Sequence, residues 1–276
     1  MDETNRMQLV LLELLKVFHD YCILKNLKYY AVAGTALGAA RHSGFIPWDD
    51  DLDVGMPRND YEKLIESFNK DFKEKNYYLE GPQNSLDPTF PYPFSKLYDL
   101  KTTLVEDFGR KQIKRGFFLD IFPLDGIGKD LEEGKKTKGS IQKWHIIKNL
   151  YLYGKDNDIF VKRLCKQFCR SVIHLIFRNE RGIARIIDEK SKKNDYDKSN
   201  YVAALTCYEL PILIPKFYLG TPTLHKFEEI MIYCPEKIDE YLTLNYGNWR
   251  AYPPEAERVP HHTAALYSLV KGYEDE

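Results

Sequence analysis

Residues 44–55 read Gly-Phe-Ile-Pro-Trp-Asp-Asp-Asp-Leu-Asp-Val-Gly, with aspartates at Asp49, Asp50, Asp51 and Asp53. Four carboxylates crowded this closely repel one another unless a cation neutralises them. If residues 51–54 run as a strand, alternation puts Asp51 and Asp53 on one face and Leu52 on the other. Two neighbouring carboxylates suit one or two hard divalent ions. The alternative is an acidic surface turn, which the low strand preference of aspartate favours. A third carboxylate, Asp120, sits between Leu119 and Ile121 in an apolar run. It needs a partner there, because an unpaired buried charge is costly. If strands 51–55 and 117–122 are neighbours, Asp120 completes a three-carboxylate metal site. Asp125, its nearest competitor, suits a role in shaping the turn after Pro123-Leu124. Gly34-Thr35 adds a possible anion nest, since backbone N–H groups at a helix start accept a phosphate that a glycine lets approach. The same dipeptide also serves as a plain helix cap.

These residues require elements to hold them. Leu9, Leu12, Leu15, Val17, Phe18 and Ile23 predict an amphipathic helix over 3–25. Residues 29–33 predict a short strand that Gly34-Thr35 breaks before a helix over 36–42. Pro57 opens a helix from Asn59 to about residue 69. Strands are expected near 77–80, 94–98 and 102–106 and over 116–122. Residues 129–140 read as a Lys/Glu/Gly linker. Residues 135–178 carry eleven Lys and Arg against two Asp and no Glu, with helical periodicity. A further helix is expected over 180–193, a strand near 227–233 and a helix over 235–244. The pattern predicts an α+β fold in three parts: a catalytic core over 1–128, a helical insertion over 129–200 and a C-terminal segment, 201–276, that returns to the core.

Composition excludes several classes. Forty Lys and Arg against 41 Asp and Glu leave a net charge of −1, which gives no basis for nucleic-acid binding. No apolar run approaches the ~20 residues that span a bilayer, and no leader is apparent at the N-terminus. The cysteines, Cys22, Cys165, Cys169, Cys207 and Cys234, are odd in number and scattered, as in a cytoplasmic protein with reduced thiols. Cys165 and Cys169 stand at i,i+4 spacing with His174 nearby, which reads as two thiols on one helix face and not as zinc ligands. The basic stretch 135–178 has two readings: a solvated helical face, or peripheral association with an anionic membrane or a lipid-linked acceptor.

A Gly-Thr turn, an Asp-x-Asp strand and a third carboxylate on a neighbouring strand make the pattern of the nucleotidyltransferase fold, a mixed sheet flanked by helices. The run from Gly34-Thr35 through Gly38, Arg41-His42, Gly44-Phe45-Ile46-Pro47-Trp48 and Asp49 to Val54 resembles the signature of the LicD family. That family includes bacterial phosphocholine transferases and is related to fukutin-type ribitol-phosphate transferases. Lys96-Leu-Tyr98-Asp99, Phe118-Leu-Asp120-Ile-Phe-Pro-Leu-Asp125-Gly126 and Tyr246-Gly247…Pro253-Pro254…Arg258…His261 resemble it too, in order along the chain. Asn248-Trp249 departs from the family pattern, where an acidic residue and a smaller aromatic are expected.

The resemblance implies transfer of a phospho-alcohol, typically phosphocholine from CDP-choline, to a sugar hydroxyl of a surface glycan, lipopolysaccharide or teichoic acid precursor, with release of CMP. Mg²⁺, or Mn²⁺ in its place, would sit on Asp51, Asp53 and Asp120, with Gly34, Thr35, Arg41 and Lys96 on the donor phosphates. His42, Trp48, Asp49, Asp50 and Asp125 would shape the loop. Trp48, Tyr92, Tyr98 and Trp249 are candidate aromatic cage residues for a quaternary ammonium. Tyr98, Trp249, Arg258, His261 and His262 are candidate donor or acceptor contacts. Small-molecule nucleotidyl transfer, a CDP-ribitol or CDP-glycerol donor, and a non-catalytic binding module are the competing readings. A cytoplasmic enzyme, working at the inner face of the membrane if the basic stretch docks there, is the expectation.

Overall fold

The computed structural model describes all residues except 1–2, 73–75, 86, 109–110, 154–159, 209–211, 261–265 and 273–276, and excludes the side chains of residues 3, 160–164 and 266. In chain order the elements are α1 (Glu3–Lys25), β1 (Tyr30–Ala31), α2 (Ala33–His42), β2 (Asp53–Pro57), α3 (Arg58–Asp71), β3 (Tyr77–Glu80), β4 (Ser95–Asp107), β5 (Gln112–Gly128), α4 (Leu131–Leu152), α5 (Phe160–Ile176), α6 (Glu180–Ser191), β6 (Tyr201–Ala203), β7 (Ile214–Pro215), α7 (Lys216–Leu219), β8 (Thr223–Phe227), β9 (Ile230–Cys234), α8 (Ile238–Tyr246) and β10 (Leu266–Ser268). The class is α+β, as expected: a mixed sheet flanked by helices.

β5 is the spine of the sheet. Its residues from Gly116 to Gly128 are buried without a break, because it pairs with β4, β2 and β6 along its length while α1, α3 and α4 pack against it. That explains an apolar run with no polar alternation. β2 lies parallel to β5, whereas β1, β3, β4, β6 and β10 add antiparallel pairs. Two separate expected strands, 94–98 and 102–106, are one strand, β4, with an irregular stretch between Asp99 and Leu104. This bend decides the shape of the site. α1 covers the sheet with Leu11, Leu12, Leu14, Leu15, Phe18, Tyr21 and Cys22, all buried in the main core.

The expected linker over 129–140 is instead the first half of α4. The Asp130 carboxylate caps that helix by accepting from the backbone N–H groups of Glu132 and Glu133 at 3.0 and 2.9 Å. A cap and a long helical register outweigh the two glycines, Gly134 and Gly139, that suggested a linker. α4, α6 and β6 enclose a second, smaller core of Ile127, Ile141, Tyr151, Ile183, Ile187, Ala203 and Leu205. Ile127 comes from the far end of β5, so the same strand serves both cores. In the last part of the chain β8 and β9 form a hairpin against β1 and α2, and α8 packs on α2.

Candidate active site

The chemistry rests on register. Asp53 of β2 stands opposite Asp120 of β5, and Asp120 stands opposite Lys96 of β4. Residues opposite one another on neighbouring strands project from the same face of a sheet. Asp53, Asp120 and Lys96 therefore form a row across three strands, at the floor of a cavity of about 1410 Å³ that Asp49 and Asp51 also line. β2 starts at Asp53, two residues later than the expected strand. Pairing still reaches further back, because the Asp120 N–H donates to the Leu52 carbonyl at 3.0 Å.

The first turn of α2 presses close to this row; the helix starts at Ala33, so Gly34-Thr35 lies within it and does not break the chain before a helix over 36–42. Ala33 has φ of +46°, a left-handed conformation that costs a non-glycine residue energy. Its N–H donates to the Tyr241 hydroxyl of α8 at 3.2 Å, which holds the strained turn from the far end of the chain. At Gly34 an added Cβ would fall 2.7 Å from Asp49 Oδ2, so a side chain there would push that carboxylate aside. Thr35 does not line the cavity; its hydroxyl accepts the Asp53 N–H at 2.7 Å and so positions the strand. Gly44 allows the aspartate loop to seat on the β8–β9 turn, where Glu228 Oε1 accepts from the Phe45 N–H at 2.9 Å and a Cβ on Gly44 would clash with that carboxylate.

Negative charge exceeds positive charge at the floor. Burial, with the charges of Asp51, Asp120 and Asp49, pushes the Asp53 carboxyl well above the usual range. Burial likewise pushes Asp120 up to about 6, against the pull of Lys96. Lys96 Nζ lies 3.1 Å from Asp120 Oδ1 as an ion pair, yet no donor is aligned on that oxygen, which is buried without a hydrogen bond. Among the described residues no three His, Cys, Asp or Glu side chains are already drawn together as a finished metal shell. The fit to a hard divalent cation therefore rests on the donor chemistry: oxygen ligands only, an unmet carboxylate oxygen and uncompensated charge.

One wall of the cavity comes from the bend in β4. It carries Glu106 back to 3.6 Å from Lys96, although the two lie at opposite ends of one strand. Lys96 is 2% exposed, with Nζ 3.2 Å from the Phe118 ring centre and 4.2 Å from that of Tyr92. The Tyr92 hydroxyl donates to Glu106 at 2.6 Å. Phe108 stands 6.2 Å from Tyr92 and 5.7 Å from Tyr153, ring centre to ring centre, and all three line the cavity. The opposite wall is aromatic and basic. Arg41 donates to the carbonyls of Trp249 and Ala251 at 3.0 and 3.2 Å and lies 4.9 Å from the Tyr252 ring centre. His42 accepts from Arg41 Nε and meets Tyr252 edge to face. The Arg258 guanidinium stands 5.7 and 5.4 Å from the rings of Trp48 and Tyr252 but, like His42, lies behind this wall and does not itself line the cavity.

The structure thus brings Gly34, Arg41, Trp48, Asp49, Asp51, Asp53, Tyr92, Lys96, Asp120 and Trp249 to one cavity. Other expected residues lie elsewhere. Tyr98 is buried away from the cavity, and Asp50 does not line it. Asp125 does not shape a turn: it lies within β5 and takes a bidentate ion pair from Arg58, at 2.7 Å for both contacts. His261 and His262 fall outside the described residues. Sequence reasoning missed Glu106, Tyr153, Glu228 and Tyr241. None carries a local signal, because each acts through a distant partner.

The chain is similar to known proteins. Residues 26–125 match the family described as LicD/FKTN/FKRP, nucleotidyltransferase domain. Over 271 residues, 95% of this chain and 97% of the relative, the chain is 29% identical to the lipopolysaccharide cholinephosphotransferase LicD of Haemophilus influenzae. A protein of Rickettsia typhi is 38% identical over 77 residues, 28% of this chain and 25% of that relative. One of Rickettsia prowazekii is 44% identical over 57 residues, 21% of each.

Proposed function

We propose that this chain, whose residues 26–125 match the LicD/FKTN/FKRP nucleotidyltransferase domain, is a LicD-type enzyme that moves phosphocholine from a CDP-activated donor to a sugar hydroxyl of a surface glycan of the lipopolysaccharide type. The observation that carries this reading is the row of Asp53, Asp120 and Lys96 beneath one large cavity. In the reaction the acceptor oxygen bonds to the choline-bearing phosphorus, the bond from that phosphorus to the bridging oxygen breaks, and CMP leaves. Asp120 orients the attacking hydroxyl and takes its proton. Mg²⁺ or Mn²⁺ held by Asp51, Asp53 and Asp120 would screen the diphosphate and stabilise charge on the attacking and leaving oxygens.

The two walls suggest how the donor lies. Tyr92, Phe108 and Tyr153 present ring faces backed by the Glu106 carboxylate, which suits a quaternary ammonium because such a cation offers no hydrogen-bond donor. Trp48 and Tyr252 offer stacking surfaces for the cytidine, and the Arg258 guanidinium behind them adds positive charge toward its phosphate. Gly34 keeps the helix start open toward the diphosphate, and Arg41 holds the segment around Trp249 in place.

The test is incubation with CDP-choline labelled either in choline or in cytidine, together with a lipopolysaccharide acceptor. Choline label on the acceptor is the expected result; cytidine label there would make the chain a nucleotidyltransferase. A thermal-shift panel of CDP-choline, CDP-ribitol and CDP-glycerol, with and without Mg²⁺, separates the donors by their ligand-dependent stabilisation. A larger shift with CDP-ribitol would displace choline as the transferred group.

A further inference from the structure

α5 is a helix with its apolar side turned outward. Phe168, Leu175 and Ile176 are 72%, 85% and 65% exposed, and Val172 joins them on the same face at i,i+3 and i,i+4 spacing. Cys165 and Cys169 extend the stripe and are exposed as well. The other side of the helix is spent on α4: Ile173 packs against the second core, and buried Arg170 donates to the Leu150 carbonyl at 3.2 Å. A soluble protein rarely leaves a continuous apolar stripe in water without a use for it.

We propose that this stripe docks on the surface of an anionic lipid bilayer, with α5 lying in the headgroup region. Charge decides for lipid over a second copy of the chain. The segment 135–178 around the stripe carries eleven Lys and Arg against two Asp. Two such segments repel each other, whereas anionic headgroups attract one. Moderate length and an apolar stripe against a polar remainder are the marks of an interfacial helix, and no helix among the described residues is long and apolar enough to cross a membrane. Position adds a purpose. The α4 turn on which α5 packs, through Leu150 and Tyr151, also supplies Lys148, Asn149, Leu152 and Tyr153 to the cavity lining. α5 and α4 lie between the docking stripe and the cavity, so docking sets the site about two helix diameters from the bilayer, within reach of the sugars of an acceptor anchored by lipid. The docking itself does not depend on which phospho-alcohol is transferred.

Vesicle flotation of the full chain tests this, using vesicles rich in phosphatidylglycerol against vesicles of phosphatidylcholine alone. The chain should float with the anionic vesicles, less so at high salt, and not with the neutral ones. The double variant Phe168→Asp/Leu175→Asp should bind at least about tenfold more weakly, with an unchanged melting temperature and unchanged turnover of a water-soluble acceptor. Failure of the unaltered chain to float on anionic vesicles overturns the proposal, as does equal flotation of the variant. So does a dimer, measured by light scattering, that the double substitution converts to monomer, because a second copy then covers the stripe.

Discussion

Two aspartates on β5, Asp120 and Asp125, lie five positions apart in buried ionic clusters that are built in opposite ways. Asp125 meets the Arg58 guanidinium through both oxygens, and the same guanidinium reaches Asp188 at 2.7 Å. Lys192 closes the group at 3.2 Å from Asp188 Oδ2, to which Gln83 also donates, while Arg58 holds Oδ1. The charges are interleaved, each carboxylate has directed donors, and the cluster fastens α3 and α6 to the sheet. Asp120 shares its neighbourhood with Asp53, Asp51 and Glu106, and among the described residues its one close cation is Lys96, which stands 3.1 Å from Oδ1 without being aligned on it. One cluster is complete in itself. The other is held together by the rest of the fold, and its excess negative charge is what a metal cation would neutralise. Burial alone does not separate structural from functional carboxylates; whether the group is satisfied does.

The sharpest way to break this contrast is to neutralise each side. Asp53→Asn should lower turnover by about a thousandfold or more, while the metal-free protein melts at the same temperature or higher. The sign follows from burial: the Asp53 carboxyl titrates above its unfolded value, so its charge costs stability at neutral pH and its removal relieves that cost. A variant that keeps full activity would end the catalytic assignment. Arg58→Met should do the reverse, destabilising the fold by about 3–5 kcal/mol because Asp125 is left buried without its ion pair and Asp188 keeps only Lys192 and Gln83. Denaturant titration measures that loss, and a change below about 1 kcal/mol would mean the cluster is not the fastener described here.

A third buried group sharpens the comparison with a smaller effect. His145 is held neutral within the second core, donating from Nε2 to the Leu205 carbonyl at 2.8 Å, and burial pushes it down to about 4. Between pH 6.5 and 4 the unfolded chain binds the extra proton, so stability falls as the pH drops through that window, by up to about 3 kcal/mol. His145→Gln keeps a donor toward Leu205 and should flatten this acid limb relative to the unaltered chain. Parallel pH–stability curves for the two proteins would show that His145 contributes none of it.

How much of this could be read from the chain varies residue by residue. The pairing of Asp51 with Asp53 and the need of Asp120 for a partner follow from local rules, alternation along a strand and the cost of a lone buried charge. Asp130 with Glu133 was a legible start for α4, but the glycines and lysines around it drew the reading toward a linker. Asp125 reads locally as a turn residue, because its partner, Arg58, lies 67 positions away and leaves no mark nearby.

The amino-acid order alone determined the identity of the acidic residues, the spacing that puts them on strand faces, and the open glycine turn beside them, because each of these is a matter of neighbours along the backbone. Only the tertiary structure decided what surrounds them: the register that sets Asp53, Asp120 and Lys96 in a row, the bend that returns Glu106 to Lys96, the Tyr241 hydroxyl that holds Ala33, and the outward stripe of α5. Those depend on hydrogen-bond register and long-range packing, in which residues far apart along the chain are chosen for each other by shape and charge and by nothing their immediate neighbours display.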